Sequence, residues 1–240
     1  MINFDDFYSL DSEGRWAISA EQGSHFAKHH ANDFNPLHDA DNRRFVVPGD
    51  LLFGLILNQF GLYRRMAFNF SAAVAADSPL LVEQTAVAAE QHIELTDSRG
   101  KLAMRAIASG ECSRQQAMVN PLVAAYVSFS GQNFPAILMP LLQQQQVMIN
   151  PERPLVMYEG MDFELDHFNF AAPQLEMQEA TISVEGRRGQ VVFNFAIVEQ
   201  GAVVGRGKKY IALGGLRPYE SAPMDAIVTD YLERRRVYQL

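Results

Sequence analysis

Apolar and polar positions follow two rhythms along this chain, and the rhythms come twice in the same order. From about 50 to 66 the residues Leu51, Leu52, Leu55, Ile56, Phe60 and Leu62 recur at helical spacing, a broad apolar face suited to burial against a sheet. Strand-like runs follow at 67 to 75, 80 to 88, 91 to 96 and 101 to 111, and Asp97-Ser98-Arg99-Gly100 reads as a hairpin turn. A shorter helix over 19 to 31, with Ser19 as its N-cap, comes before them. In the second half an apolar helix is predicted to start at Phe134-Pro135, continue through Gln143 to Gln146 and end near Asn150-Pro151. Strand-like runs come next at 155 to 168, 174 to 184, 190 to 199 and 202 to 213, the last three separated by turns at Gly186 to Gly189 and at Gln200-Gly201. Pro48 and Pro135 stand just ahead of the two main helices. The order predicts an α+β chain of two like units, 1–116 and 117–240, with the boundary near Cys112 to Pro121. An added helix over 225 to 236 falls outside the repeat.

One stretch points to chemistry. Asp33-Phe34-Asn35-Pro36-Leu37-His38 gathers a carboxylate, an imidazole and a backbone lock within six residues. Proline is at home in the first helical position and pushes the residue before it out of the α region, so Asn35 reads as an N-cap and Pro36 as the opening of a short helix. Asp39 and Asp41 would then fall in its first turns, where the helix dipole favours negative charge. Two groups that both take and give protons, held a few residues apart, suit a reaction in which one activates water and the other delivers a proton. Histidine titrates near ~6.5 when unperturbed, so a modest shift keeps it neutral and basic at cellular pH. The plain alternative is a capped helix start carrying two surface polar residues.

The Asp33 to His38 run follows Ile18-Ser19-Ala20-Glu21 and precedes Phe45-Val46-Val47-Pro48-Gly49-Asp50-Leu51-Leu52-Phe53-Gly54-Leu55. The whole resembles the (R)-specific enoyl-CoA hydratases, the MaoC-like branch of the hotdog superfamily. The resemblance implies a double hotdog, two units each with a long central helix wrapped by an antiparallel sheet. One unit keeps the catalytic loop and the other, degenerate, shapes an acyl tunnel. It also implies hydration of a trans-2-enoyl thioester, or the reverse dehydration. Asp33 and His38 would work on the water, and the Gly49 amide at the start of the central helix would bind the thioester oxygen. Asn35 would hold the loop, with Asp50 and Phe53 beside the substrate. An acyl-CoA or acyl carrier protein thioester is the implied partner, no metal or redox cofactor is needed, and a homodimer is compatible with the paired use of such units. Ser130-Gly131-Gln132-Asn133-Phe134-Pro135, near the second helix, contains no histidine, so one site per chain is expected.

Three departures keep other functions open, one of them an interval between His38 and Gly49 shorter than is usual for that family. Pro48 stands where the hydratases usually carry a histidine, and Asp50 would repel an oxyanion if it pointed inward, although as an N-cap it could turn to the helix amides. A noncatalytic acyl-thioester binding or regulatory protein is the alternative, and a hotdog thioesterase using Asp50 or Glu83 is a third option. Fold likeness alone does not choose among them.

Composition narrows the field. With 240 residues and 48% hydrophobic content, the chain can bury one large core or two small ones. A net charge of −8 and a pI of 5.2 argue against broad binding to nucleic acid or anionic membrane. Arg187-Arg188, Lys208-Lys209 and Arg234-Arg235-Arg236 read as solvated turns and a helix end. Cys112 is the single cysteine, so no intrachain disulfide forms and a reducing, cytoplasmic setting is expected. The acidic amino-terminal stretch is not expected to act as a signal peptide. The apolar stretch 51 to 60 is shorter than the roughly twenty residues a membrane span needs. His25 and His29 lie four apart with His30 beside them; a solvated helix face is favoured there over a metal site. No nucleophile-elbow pattern is present.

Overall fold

The structure, a computed structural model, describes residues 2–131 and 133–238, without the side chain of Asn133. Two short strands, β1 (Ser9–Leu10) and β2 (Trp16–Ala17), and helix α1 (Ala20–His29) open the chain. Helix α2 (Gly49–Phe60) then leads into β3 (Leu62–Phe70), β4 (Leu80–Val87), β5 (Glu90–Asp97) and β6 (Leu102–Ser113). Three helices, α3 (Gln116–Gly131), α4 (Asn133–Ala136) and α5 (Leu138–Gln144), begin the second half. It continues with β7 (Val147–Met148), β8 (Leu155–Leu165), β9 (Gln174–Glu185), β10 (Arg188–Glu199), β11 (Ala202–Gly214), β12 (Arg217–Pro218) and α6 (Ser221–Tyr238).

Ten strands form one antiparallel sheet in the order β1-β2-β4-β5-β6-β3-β8-β11-β10-β9, and β7 pairs with β12 apart from it. Within each half the first long strand pairs with the fourth, the fourth with the third, and the third with the second. The halves therefore meet first strand to first strand. At that seam Met66 faces Phe163, Phe68 faces Met161 and Asn69 faces Gly160. A side chain on Gly160 would run into the Phe68 carbonyl, so the seam closes only with glycine there.

The long strands alternate between faces as the sequence does, and the Asp97 turn forms as expected. Gly100, with φ +75°, donates to the Asp97 carbonyl, while the Asp97 carboxylate accepts from the Arg99 and Lys101 amides at 2.9 Å. Ser19 caps α1 in a full capping box with Gln22. Helix α2 is buried on nearly all sides, with Leu51, Phe53, Leu55, Ile56 and Leu57 at 1% exposure or less, and α3 lies against it at Gly54. A second core gathers Leu138, Leu142, Val191, Phe193 and Leu213 under α5. Beside β1, β2 and α2 lies a cavity of about 240 Å³ lined by Tyr8, Leu10, Gly14, Trp16, Leu55, Asn58 and Gln59.

Two helix expectations need correction. The first main helix stops at Phe60 instead of Met66, because Gly61 adopts φ +95° and turns the chain, so Leu62 to Met66 belong to β3. In the second half, the segment expected to be a boundary is helical. Val119, Leu122, Val123, Tyr126 and Val127 form the buried stripe of α3, and Pro121 is accommodated inside its second turn. The helix expected to run from Phe134 to about Asn150 is instead the short α4 and α5, followed by β7.

Candidate active site

Local geometry builds the Asp33 loop much as its sequence predicts. Asn32, at φ +53°, ends the run from α1, and the Asp33 amide donates to the Ala27 carbonyl at 2.9 Å. The Asp33 carboxylate accepts from the Asn35 amide at 2.9 Å, and the Asn35 side chain accepts from the Leu37 amide at 3.1 Å. Pro36–His38 make a single 3-10 turn. That turn is too short to hold Asp39 and Asp41 in its first turns. Asp39 caps its end in extended conformation and binds Lys28 and Arg234, each at 2.7 Å.

His38 is held by both ring nitrogens' surroundings. Nδ1 lies 2.8 Å from the Val46 carbonyl, which only accepts, so Nδ1 carries the hydrogen and Nε2 of the neutral ring is left with its lone pair. Nε2 stands 3.6 Å from Asp33 Oδ2. That is too long for a direct hydrogen bond, and one water molecule can reach both atoms. The side chains are 12% and 28% exposed, so the pair is shielded but open on one side.

At the head of α2 the structure holds more than was expected. Gly49 opens the helix, but a Cβ there would sit 2.8 Å from Cδ1 of Tyr158 and 3.4 Å from the Phe70 ring. The missing side chain makes room on the Cβ side of Gly49 for an aromatic pair, Phe70 and Tyr158 at 4.6 Å between centroids. Asp50 is 8% exposed, and its Oδ1 is buried without a hydrogen-bond partner among the described residues. Phe53 is fully buried between Phe68 and Tyr126. It lines a void of about 10 Å³ with Tyr126, Met161, Phe163 and Phe195.

Lys209 completes this cluster from the second half. The sequence reading placed it in a solvated turn; instead it lies in β11 at 6% exposure, while Lys208 faces solvent. Its Nζ donates to Ser130 Oγ and lies 4.4 Å from the centre of the Tyr158 ring, and the Tyr158 and Tyr126 hydroxyls are hydrogen-bonded to each other. Burial pushes the Asp50 carboxyl above its ordinary range; Lys209 and the Ser130 hydroxyl oppose this, Asp33 adds to it and His38 opposes it. Burial pushes Lys209 down, against the attraction of Asp50 and Asp33. Burial, with the Asp50 charge added, also holds the Tyr126 and Tyr158 phenols well above their usual range. A signal for Lys209 was present: in a strand read over 202 to 213, position 209 shares a face with Gly205, Gly207, Ile211 and Leu213.

Helix α6 roofs the loop. The Tyr231 hydroxyl accepts from the Phe34 amide and donates to the Gly131 carbonyl, both at 3.3 Å, and Tyr238 packs on Phe34 and His29. His25 and His29 are exposed with ring centroids 4.1 Å apart. Among the described residues no three His, Cys, Asp or Glu side chains are grouped to hold a metal ion, and no helix is long and apolar enough to cross a membrane. Glu83 is exposed on β4.

These features define an α+β protein built on a large antiparallel sheet with helices, and its neighbours among solved structures are hotdog-fold proteins, thioesterases and dehydratases among them. A putative thioesterase II from Thermobifida fusca YX matches with a TM-score of 0.50 at 9% identity, covering 89% of this chain and 98% of that one. An acyl-CoA thioesterase II from Mycobacterium marinum matches at 0.45 and 14% identity, covering 72% and 91%. A MaoC-like dehydratase matches at 0.43 and 11% identity, covering 87% and 98%. The chain belongs to the family described as "Protein of unknown function (DUF3581)", matched over residues 2–222. Comparison with curated proteins gave no match.

Proposed function

We propose that the protein is a tandem hotdog enzyme of the MaoC-like kind, with units 1–116 and 117–240, that hydrates a trans-2-enoyl thioester or runs the reverse dehydration. The observation that carries this reading is the 3.6 Å separation of Asp33 Oδ2 and His38 Nε2, with the His38 hydrogen committed to the Val46 carbonyl. Two acceptors then face one water. As the water oxygen bonds to C3 of the enoyl group, one of them takes its proton, and that proton goes to C2, so that water is added across the double bond. Charge that develops on the thioester oxygen lies toward the amino end of α2, where helix amides and dipole favour it. A thioester of coenzyme A or acyl carrier protein is the substrate class.

Removing either member of the pair should cost turnover of crotonyl-CoA or a longer enoyl-CoA about 10²- to 10⁴-fold. Asp33→Asn and His38→Ala are the variants to assay, by loss of enoyl absorbance, with circular dichroism showing the fold intact. Full activity in either variant would overturn the assignment. A second reading has its own support: Asp50, a buried carboxylate at the head of the central helix with one oxygen unpartnered among the described residues, suits thioester hydrolysis. Thiol release from saturated acyl-CoA, lost in Asp50→Asn and kept in His38→Ala, would favour that reading over hydration. Saturable thermal stabilisation by acyl-CoA without either reaction would make the protein a binder.

A further inference from the structure

We infer that Lys209, reaching across from the second half of the chain, is a positioning residue of the active site that acts through Asp50. The inference rests on the thioester reading of the site. A carboxylate more than nine-tenths buried, one of whose oxygens finds no donor among the described residues, is a costly thing to keep in a helix that could be capped by a smaller residue. A lysine equally buried on another strand is costlier still, unless the two serve each other. Three groups arrange them. Ser130 of α3 takes a hydrogen bond from Lys209, the Tyr158 ring of β8 lies under its ammonium, and the same ring fills the space left by Gly49. Tyr126 of α3 holds the Tyr158 hydroxyl. The charged and polar groups that act on Asp50 or feel its charge are Lys209 from β11, Ser130 and Tyr126 from α3, Tyr158 from β8, and Asp33 with His38 from the loop.

The arrangement answers the oddity of an acidic residue next to Gly49. A lone carboxylate would oppose charge developing on the substrate oxygen; a buried ammonium held over the same Tyr158 ring that packs on Gly49 offsets that charge. It also gives the second half, which has no histidine in its described loop, a defined part in the site.

Asp50 and Lys209 attract each other, so removing the ammonium leaves the buried carboxyl protonated up to higher pH. Lys209→Met is therefore expected to lower kcat at least 10-fold with KM within about 3-fold of the parent, since the pair acts on reacting charge and not on ground-state binding. Its acid limb in the pH profile should move upward, Asp50→Asn should remove that limb, and the double variant should be no slower than Asp50→Asn alone. A purely structural lysine would lower stability and leave the limb in place. A Lys209→Met profile that superimposes on the parent, or losses that multiply in the double variant, would overturn the inference. Should Lys209→Met fail to fold, Lys209→Gln replaces it, and the double variant, which removes both buried charges, still tests additivity against Asp50→Asn. Titration of the Asp50 carboxyl by ¹³C NMR in the ligand-free protein decides the coupling even if no thioester is turned over. That last result would sink the functional reading, whereas an Asp50 titration unmoved by Lys209→Met would sink this one.

Discussion

His30 shows how one residue's setting becomes a pH dependence. Burial first, then the neighbouring His25 and His29, holds its imidazole below the ordinary value, and burial with His25 does the same to His29. A group whose folded pKa is depressed favours the folded state most above its unfolded pKa, here ~6.5, and that contribution is lost as pH falls through the folded value. Urea midpoints measured from pH 7.5 to 5 should therefore decline on the acid side, and His30→Gln should flatten the decline. A glycine makes the complementary case. A Cβ on Gly131 would overlap the carbonyl oxygen of Ala31, backbone against backbone, where no side-chain rotation gives relief. Gly131→Ala is expected to cost about 3 kcal/mol in urea unfolding. It should also lower turnover, because Ala31 leads directly into the Asp33 loop. The chemistry legible from sequence lay within this loop, in three bonds that each close within eight residues: Asp33 to Asn35, Asn35 to Leu37, His38 to Val46. The Lys209 and Ser130 contact joins residues 79 apart, and no local pattern pairs them.

Among the elements, strands were the easiest to read and helices the harder. The β8 to β11 runs were legible because apolar alternation survives in a sheet with a covered face. Apolar spacing extends helix α2 through Leu62, and the single φ of Gly61 overrides that spacing. Helix α3 begins inside the boundary expected near Cys112 to Pro121, and its buried stripe from Val119 to Val127 has helical period. Helix α6 was expected as an appendage, yet its Tyr231 joins two elements 97 residues apart by bridging the Phe34 amide and the Gly131 carbonyl. Tyr231→Phe leaves that amide without its acceptor and should lower stability by about 1 kcal/mol. Amide exchange at Phe34 should quicken in the same variant, a local readout that a general loss of packing would not single out.

For the whole molecule, the seam between β3 and β8 matters most. Five residue pairs run from Arg65–Glu164 to Asn69–Gly160 and join six strands of the first half to four of the second in one sheet. The first core reaches across it, with Met161, Phe163 and Leu165 of β8 packed among residues of α2, β3 and α3. Residues 1–116 alone would lose that cover and α3 with it, and are expected to be unfolded or self-associated in sedimentation experiments. The intact chain should instead unfold in one step. Trp16 offers a convenient witness, for it is the single indole of the chain, 3% exposed beside the cavity near α2, with Tyr8 5.3 Å away. Its emission reports from one end of the sheet only, while far-ultraviolet dichroism averages over both ends. If the seam couples the ends, the two signals share a midpoint; a gap between them would mean that the far half can melt unseen by the tryptophan.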